Sequence, residues 1–150
     1  MTVTFFGHSS FVGTPEHESR ILKFLSEKIG DKTASIYLGD KGGFDSFAYT
    51  CCDKYRQSHK NTSLIYVTPY ITPSYQKKLL CYQKRFDAII YPQIEDKPIR
   101  FAISYRNKFM VDSADYVVTY VSHSYGGAYK AYKYAHTKRK SVFNLADYDK

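Results

Sequence analysis

The fold is decided by residues 115–130, which read DYVVTYVSHSYGGAYK from Asp115 to Lys130. The β-branched run at 116–121 is typical of a strand buried on both faces, as in a parallel sheet. A polar turn follows and ends in Gly126-Gly127, which lets the backbone approach a ligand closely. The predicted next helix would direct free N–H groups at an anion there. A tight turn packed against the sheet also needs glycine, so the pattern alone leaves both explanations open.

Two earlier parts of the chain repeat this arrangement of strand, small polar loop and helix. The apolar residues 3–6 precede Gly7-His8-Ser9, and a second strand at 35–38 precedes Gly39-Asp40-Lys41-Gly42-Gly43-Phe44-Asp45. Thr14 before Pro15 is typical of a helix N-cap, and Gly30 is typical of a helix end. Phe44, Phe47, Ala48, Cys51 and Tyr55 then form the apolar stripe of an amphipathic helix.

The rest of the chain continues the alternation of strands and helices. Strands are predicted at 64–68, 87–91, 116–121 and 141–145, and helices at 74–82, 99–111 and 127–139. Residues 91–98 contain two prolines and are predicted to form a loop. The sequence therefore predicts one α/β domain over 1–150, with a Rossmann-like open, mostly parallel sheet of about five to six strands and helices on both faces.

The loops that follow the strands of such a sheet gather at one edge, where ligands bind. This rule predicts a ligand site from the glycine loops together with Arg106. In the predicted helix 99–111, Arg106 interrupts the apolar stripe formed by Ile99, Ile103 and Met110. Such an arginine must reach solvent, pair with a carboxylate or hold a ligand anion. The predicted ligand-binding residues are Gly7, His8, Ser9, Gly39, Gly42, Gly43, Phe44, Asp45, Arg106, Ser122, His123, Gly126, Gly127 and Tyr129.

Composition limits the classes of function. The net charge is +8, which favours anionic partners, but apart from Lys138-Arg139-Lys140 the positive residues are scattered, which disfavours nucleic acid. No stretch is apolar enough to span a membrane, and the N-terminus does not resemble a signal peptide, so the predicted location is cytoplasmic. Cys51, Cys52 and Cys81 fit neither a disulfide framework nor a zinc pattern. No metal and no cofactor are predicted.

No catalytic residue can be named from the sequence. It contains neither the dinucleotide-binding G-x-G-x-x-G motif nor the Walker motif of triphosphatases. His8 and His123 have the chemistry of general acids or bases, but a histidine in a loop is more often only a hydrogen-bonding group. The sequence therefore does not decide whether the protein is an enzyme.

The pattern from Arg106-Asn107-Lys108-Phe109-Met110 through the strand at Asp115 to Gly126-Gly127 resembles the SLOG superfamily. This Rossmann-like group includes the Lonely Guy phosphoribohydrolases and small proteins related to YpsA. The resemblance covers nearly the whole chain and implies the fold predicted above. In Lonely Guy enzymes an arginine and a P-G-G-x-G-T-x-x-E motif bind a nucleoside monophosphate, and Arg106, Gly126 and Gly127 match those positions.

The same comparison indicates that this chain lacks the catalytic acids of the Lonely Guy motif. Tyr132 and Lys133 stand where the acids of that motif would fall, and Tyr125 and Tyr129 replace its proline and its third glycine. The resemblance thus implies the binding half of the site, for a nucleotide-derived ligand. In the YpsA-like relatives an arginine usually follows Gly-His in the first loop, where this chain has Ser9.

The leading prediction is accordingly binding or sensing of a nucleotide-like or ADP-ribose-like small molecule, which need not involve turnover, with Tyr125 or Tyr129 stacking on a base. The alternative is a nucleotide N-glycosidase that uses Asp45, Asp40 or Glu95 as a non-standard acid. A third hypothesis is a structural or nucleic-acid-associated protein that depends on its +8 charge. A homo-oligomer is also predicted, with no interface identified.

Overall fold

The protein alternates parallel strands and covering helices along its whole length. A computed structural model describes residues 1–149, so Lys150, the last residue of the predicted domain, lies outside the described residues. The strands are β1 (Thr2–Gly7), β2 (Ala34–Leu38), β3 (Thr62–Val67), β4 (Ala88–Ile90), β5 (Tyr116–Tyr120) and β6 (Ser141–Asn144). The helices are α1 (Pro15–Lys28), α2 (Gly43–Ser58), α3 (Pro73–Tyr82), α4 (Ala102–Ser113) and α5 (Gly127–Thr137). Short 3-10 turns cover Ile99–Phe101 and Leu145–Tyr148.

The six strands form one sheet in the order β4-β3-β2-β1-β5-β6. Every neighbouring pair is parallel, and Phe5 of β1 lies beside Val118 of β5. The predicted Rossmann-like α/β fold is therefore confirmed. The strand order reverses between β1 and β5, and the carboxyl ends of strands at such a reversal leave a crevice for ligands.

Apolar cores lie on both faces of the sheet, as a doubly wound fold requires. One core contains Ile21 and Leu25 of α1 together with Phe44 and Ala48 of α2. The other includes Met110 of α4 with Ala131 and Ala135 of α5, whose small side chains let that helix approach the sheet closely. Within the described residues no helix is long and apolar enough to cross a membrane.

Local sequence explains where the helices begin and end. The hydroxyl oxygen of Thr14 accepts a hydrogen bond from the amide of His17, and the imidazole of His17 accepts one from the amide of Thr14. Pro15 occupies the first turn of α1, and Gly30 follows that helix with φ +57°. The helix predicted from Ile99 begins later, at Ala102, because residues 99–101 form a 3-10 turn that leaves Ile99 67% exposed.

Candidate functional site

A cavity of about 390 Å³ lies at the carboxyl ends of the central strands, beside the reversal between β1 and β5. Its walls come from the loops after β1, β2 and β5, from one face of α4 and from the start of α5. The lining residues are Phe5, Phe6, Gly7, His8, Ser9, Ser10, Gly39, Lys41, Asp45, Ile103, Arg106, Asn107, Met110, His123, Tyr125, Gly126, Gly127 and Ala128. Its size suits a ligand group of about one nucleotide.

Most of the sequence-predicted site residues meet in this cavity. Those that line it are Gly7, His8, Ser9, Gly39, Asp45, Arg106, His123, Gly126 and Gly127. Those that do not are Gly42, Gly43, Phe44, Ser122 and Tyr129. Phe44 is fully buried and packs under Gly7, where an added Cβ would stand 2.1 Å from its ring, so Phe44 belongs to the core.

The amino end of α2 is already filled by the protein. The amide of Gly43 donates to the carbonyl oxygen of Ser9 at 2.8 Å, and the amide of Lys41 donates to Asp45 at 2.7 Å. An added Cβ on Gly43 would lie 2.2 Å from the carbonyl oxygen of Phe11, and one on Gly42 would lie 2.5 Å from Ser9. Close packing of the β1 loop therefore explains these two glycines, and their position offers a phosphate no room.

The amino end of α5 is open. Gly126 has φ +92°, which favours glycine, and no side chain of residues 1–149 caps the helix. Gly127 lacks such a φ value, and an added Cβ on either glycine would meet no other part of the described chain within 4 Å. Neither packing nor backbone conformation explains Gly127. The first amides of this helix lack intrahelical acceptors and are positioned to bind an anion.

Three aromatic rings stack beside this helix end. The rings of His8 and His123 lie 3.5 Å apart at 9°, and those of His123 and Tyr125 lie 3.8 Å apart at 19°. Tyr125 ends the stack and is 69% exposed. Nδ1 of His123 is buried and has no hydrogen-bond partner within residues 1–149. The stack therefore presents an aromatic ring to solvent at the mouth of the cavity.

His8 holds the loops after β1 and β5 together. Its Nε2 accepts a hydrogen bond from the amide of Ser122 at 2.9 Å, which requires that nitrogen to be unprotonated. Burial, reinforced by the neighbouring His123, lowers the pKa of His8. Ser122 thus contributes through its backbone to the position of the stack rather than to the lining.

Arg106 forms part of the inner wall of the cavity. It is 2% exposed, its Nη1 donates to the carbonyl oxygen of Val67 at 2.7 Å, and its Nε donates to Asn107 at 2.9 Å. An added Cβ on Gly39 would lie 3.1 Å from Asp45 and 3.2 Å from the guanidinium. Burial raises the pKa of Asp45, although the backbone donor Lys41 and the charge of Arg106 oppose that rise. The arginine thus supports the β3 end and adds positive charge to the cavity.

Lys41 is a lining residue that the sequence analysis did not single out. It is exposed, and its ammonium donates to the hydroxyl of Tyr75 at 3.3 Å. Its position between Gly39 and the Gly42-Gly43 pair, within a predicted ligand loop, was the available signal. Of the three acids considered for catalysis, only Asp45 lines the cavity.

Comparison with known proteins identifies the fold. No protein-family model and no curated protein match the sequence. DNA processing protein A (DprA) from Streptococcus pneumoniae matches over 95% of this chain and 49% of its own, at a TM-score of 0.63 and 15% identity. DNA processing protein A from Helicobacter pylori, a structure described for its mode of binding single-stranded DNA, matches over 96% of this chain and 64% of its own, at 0.64 and 19%. This chain thus spans less than two thirds of either neighbour.

These neighbours contradict two sequence-based predictions. The chain was predicted to bind a nucleotide-like or ADP-ribose-like small molecule, with an N-glycosidase as the alternative, and nucleic acid was disfavoured as a partner. The matched structures are DNA-handling proteins, one of which binds single-stranded DNA. Both predictions are therefore wrong, whereas the Rossmann-like fold implied by the resemblance is confirmed. The predicted homo-oligomer stays a prediction.

Proposed function

We propose that this protein binds single-stranded nucleic acid, DNA in the first place, at the cavity between β1 and β5. The observation that carries the proposal is the stack of His8, His123 and Tyr125, which ends in an exposed ring next to the open amino end of α5. An aromatic ring beside a set of free amides matches the two parts of a nucleotide, its base and its phosphate.

The base would extend the stack on Tyr125. Two rings behind Tyr125 and the hydrogen bond between Ser122 and His8 fix its position, so little conformational entropy is lost when a base binds. Stacking on an aromatic side chain accepts every base, because each base has a π-face. We therefore expect weak sequence preference.

The phosphate would bind at Gly126-Gly127. The absence of a side chain at Gly127 leaves the helix amides reachable, and Lys41 and Arg106 add positive charge to the same cavity. Affinity should consequently depend on salt, because neutralised phosphates release counterions.

A single strand fits this site better than a duplex. Stacking on Tyr125 needs an unpaired base, and about 390 Å³ accommodates one nucleotide rather than a double helix. The DNA-handling neighbours of the same fold support this choice.

Three wider predictions belong to the same proposal. We infer that the chain is a single binding domain, that it is a divergent member of the SLOG superfamily, and that it works in the cytoplasm. The continuous parallel sheet supports the first inference. The free thiols of Cys51, Cys52 and Cys81 suit a reducing compartment.

The test is fluorescence anisotropy with a labelled single strand, and with its duplex as competitor. We expect binding of the single strand at low salt and weaker binding of the duplex. Tyr125→Ala should weaken binding roughly tenfold, because stacking contributes about 1–3 kcal/mol per base, and Tyr125→Phe should retain most of the affinity.

Tyr148→Ala is the matched control, because Tyr148 is 51% exposed and lies against Arg20, outside the cavity lining. It should leave the affinity within about twofold. No binding at low salt, or equal losses for Tyr125→Ala and Tyr148→Ala, would overturn the proposal.

A further inference from the structure

A second aromatic and basic surface adjoins the cavity, where the loop after β2 meets the start of α3. It consists of Lys41, Tyr70, Tyr75 and Lys78, and we call it the α3 surface. Tyr70 and Tyr75 meet edge to face with their ring centroids 5.0 Å apart, and both are partly exposed. Nothing in the cavity site requires this pair.

Two ammonium groups flank the ring of Tyr75. Nζ of Lys78 lies 4.7 Å from the ring centroid, and Nζ of Lys41 lies 6.0 Å from it. Lys41 is exposed and has no salt-bridge partner among residues 1–149, so its charge is available to an anion. An aromatic pair with two lysines beside one of its rings has the composition of a single-strand binding surface.

Asp40 fixes one side of this surface. Its Oδ2 accepts hydrogen bonds from Nζ of Lys78 and from the hydroxyl of Tyr82, both at 3.1 Å, and its Oδ1 accepts one from Tyr66 at 3.1 Å. Burial would raise the pKa of Asp40, but the hydrogen bond and charge of Lys78, the charge of Lys41 and the hydrogen bond from Tyr66 outweigh burial and lower it. The ionised carboxylate therefore ties α3 to the end of β2 and holds Lys78 beside Tyr75.

Lys41 joins the α3 surface to the cavity. Its backbone amide is held by Asp45 at the cavity wall, while its side chain reaches the hydroxyl of Tyr75. The same residue thus lines the cavity and contacts the second aromatic pair. A strand whose phosphate lies at Lys41 would have one nucleotide in the cavity and its neighbour at α3.

We propose that the α3 surface is a second nucleotide subsite, which takes the base adjacent to the one in the cavity against Tyr75 and Tyr70 and the intervening phosphate at Lys41. This inference rests on the proposed function and deepens it. The binding path then crosses the carboxyl ends of β5, β1, β2 and β3, so affinity depends on the length of the strand.

The experiment measures affinity against length, with thymidine 5′-monophosphate, which can fill only the cavity, and an oligothymidylate of about eight nucleotides competing against one labelled strand. For the wild-type chain we expect the oligothymidylate to bind at least about tenfold more tightly than the mononucleotide. Tyr75→Ala should abolish most of this gain and leave the affinity for the mononucleotide unchanged, because a single nucleotide in the cavity does not reach Tyr75. Tyr75→Phe should keep the gain, because the ring remains although the hydrogen bond from Lys41 is lost.

Tyr134→Ala is the matched control. Tyr134 also carries a lysine over its ring, with Lys138 at 5.5 Å, but it lies towards the far end of α5 and donates to Asp112. Photo-crosslinking of a bromouracil-containing strand provides a second readout, in which we expect modified peptides from both the Tyr125 loop and α3.

The possible failures are distinguishable. If no strand binds at any length, the proposed function and this inference both fail. If strands bind and crosslink at the Tyr125 loop, but α3 is not crosslinked and Tyr75→Ala behaves like Tyr134→Ala, only the second subsite is overturned.

Discussion

Asp45 places a negative charge in a cavity whose other charged lining residues are Lys41 and Arg106. Asp45 is 9% exposed, and its carboxylate accepts a hydrogen bond from the amide of Lys41. Because burial raises its pKa, the charged form is disfavoured in the folded protein. Through its hydrogen bond with Lys41, Asp45 holds the loop after β2 in place. Its remaining negative charge would repel an anionic ligand in the cavity.

Asp45→Asn should tighten binding of a single strand at pH 7, by roughly fivefold at low salt, because one repulsive charge is removed. A pKa raised in the folded state contributes stability at low pH that is lost as the pH rises through that pKa. The wild type loses this stability as the pH rises, and the variant does not. The free energy of unfolding of the variant minus that of the wild type should therefore be larger at about pH 7 than at about pH 3. Anisotropy and urea denaturation at both pH values measure the two effects.

Glu27→Gln is the control for the change of charge, since Glu27 lies near the end of α1 with its side chain 58% exposed. It should change binding by less than about twofold at 0.15 M salt. Weaker binding by Asp45→Asn would contradict the assigned role of this carboxylate.

At the scale of elements, helices α2 and α5 begin in similar glycine pairs but have different environments. The start of α2 is packed against the β1 loop, whereas the start of α5 faces open space. The same Gly-Gly sequence therefore allows close packing at the start of α2 and leaves the backbone amides accessible at the start of α5. The phosphate role predicted for both pairs is retained as a proposal only for Gly126-Gly127.

Matched glycine substitutions separate these roles. Gly43→Ala should lower the free energy of unfolding by about 1–3 kcal/mol, because its Cβ would meet the carbonyl oxygen of Phe11 at 2.2 Å. Gly127→Ala should leave stability unchanged or raise it by up to about 1 kcal/mol, because alanine suits a helix better than glycine does.

Binding should respond in the opposite way. Gly127→Ala should weaken binding of a single strand by roughly fivefold, because its methyl group would stand before the free amides. Urea denaturation and anisotropy on the same preparations give both values. Full affinity of Gly127→Ala would show that the α5 end does not bind phosphate.

At the scale of the whole molecule, we expect the positions of the charged residues to affect binding of a nucleic acid more than the total charge of +8 does. The single basic run, Lys138-Arg139-Lys140, lies between α5 and β6, at the sheet edge opposite the cavity. Nζ of Lys138 lies over the ring of Tyr134, and Nζ of Lys140 donates to the carbonyl oxygen of Asp112. Exposed charges further away than the Debye length of about 8 Å add little at physiological salt.

Neutralising Lys138, Arg139 and Lys140 together to glutamine should therefore weaken binding by less than about twofold at 0.15 M salt. Lys41→Gln alone should weaken it more and reduce the slope of log K against log salt by about 0.7, the value for one phosphate contact on a single strand. Titrations at several salt concentrations measure both. A larger loss from the triple variant would indicate diffuse attraction instead of a defined site.

The sequence by itself was sufficient for the architecture. Alternating β-branched runs and amphipathic helices, with Thr14-Pro15 at one start and Gly30 at one end, are local signals, and the structure reproduces nearly every predicted element. The sequence also predicted the edge of the sheet that carries the ligand loops, because parallel strands connected by helices place the loops after the strands together. The late start of α4, after the 3-10 turn at Ile99, departs from the predicted helix.

Only the tertiary structure decided what each predicted site residue does. The carbonyl oxygen of Ser9 occupies the amino end of α2, and His8 meets His123 across a separation of 115 positions in the sequence. Such contacts depend on how distant loops pack, which no local pattern encodes. For the same reason a count of scattered charges is a poor guide to the partner. Helix amides, one lysine and stacked rings would suffice for the proposed site without a cluster of basic residues in the sequence.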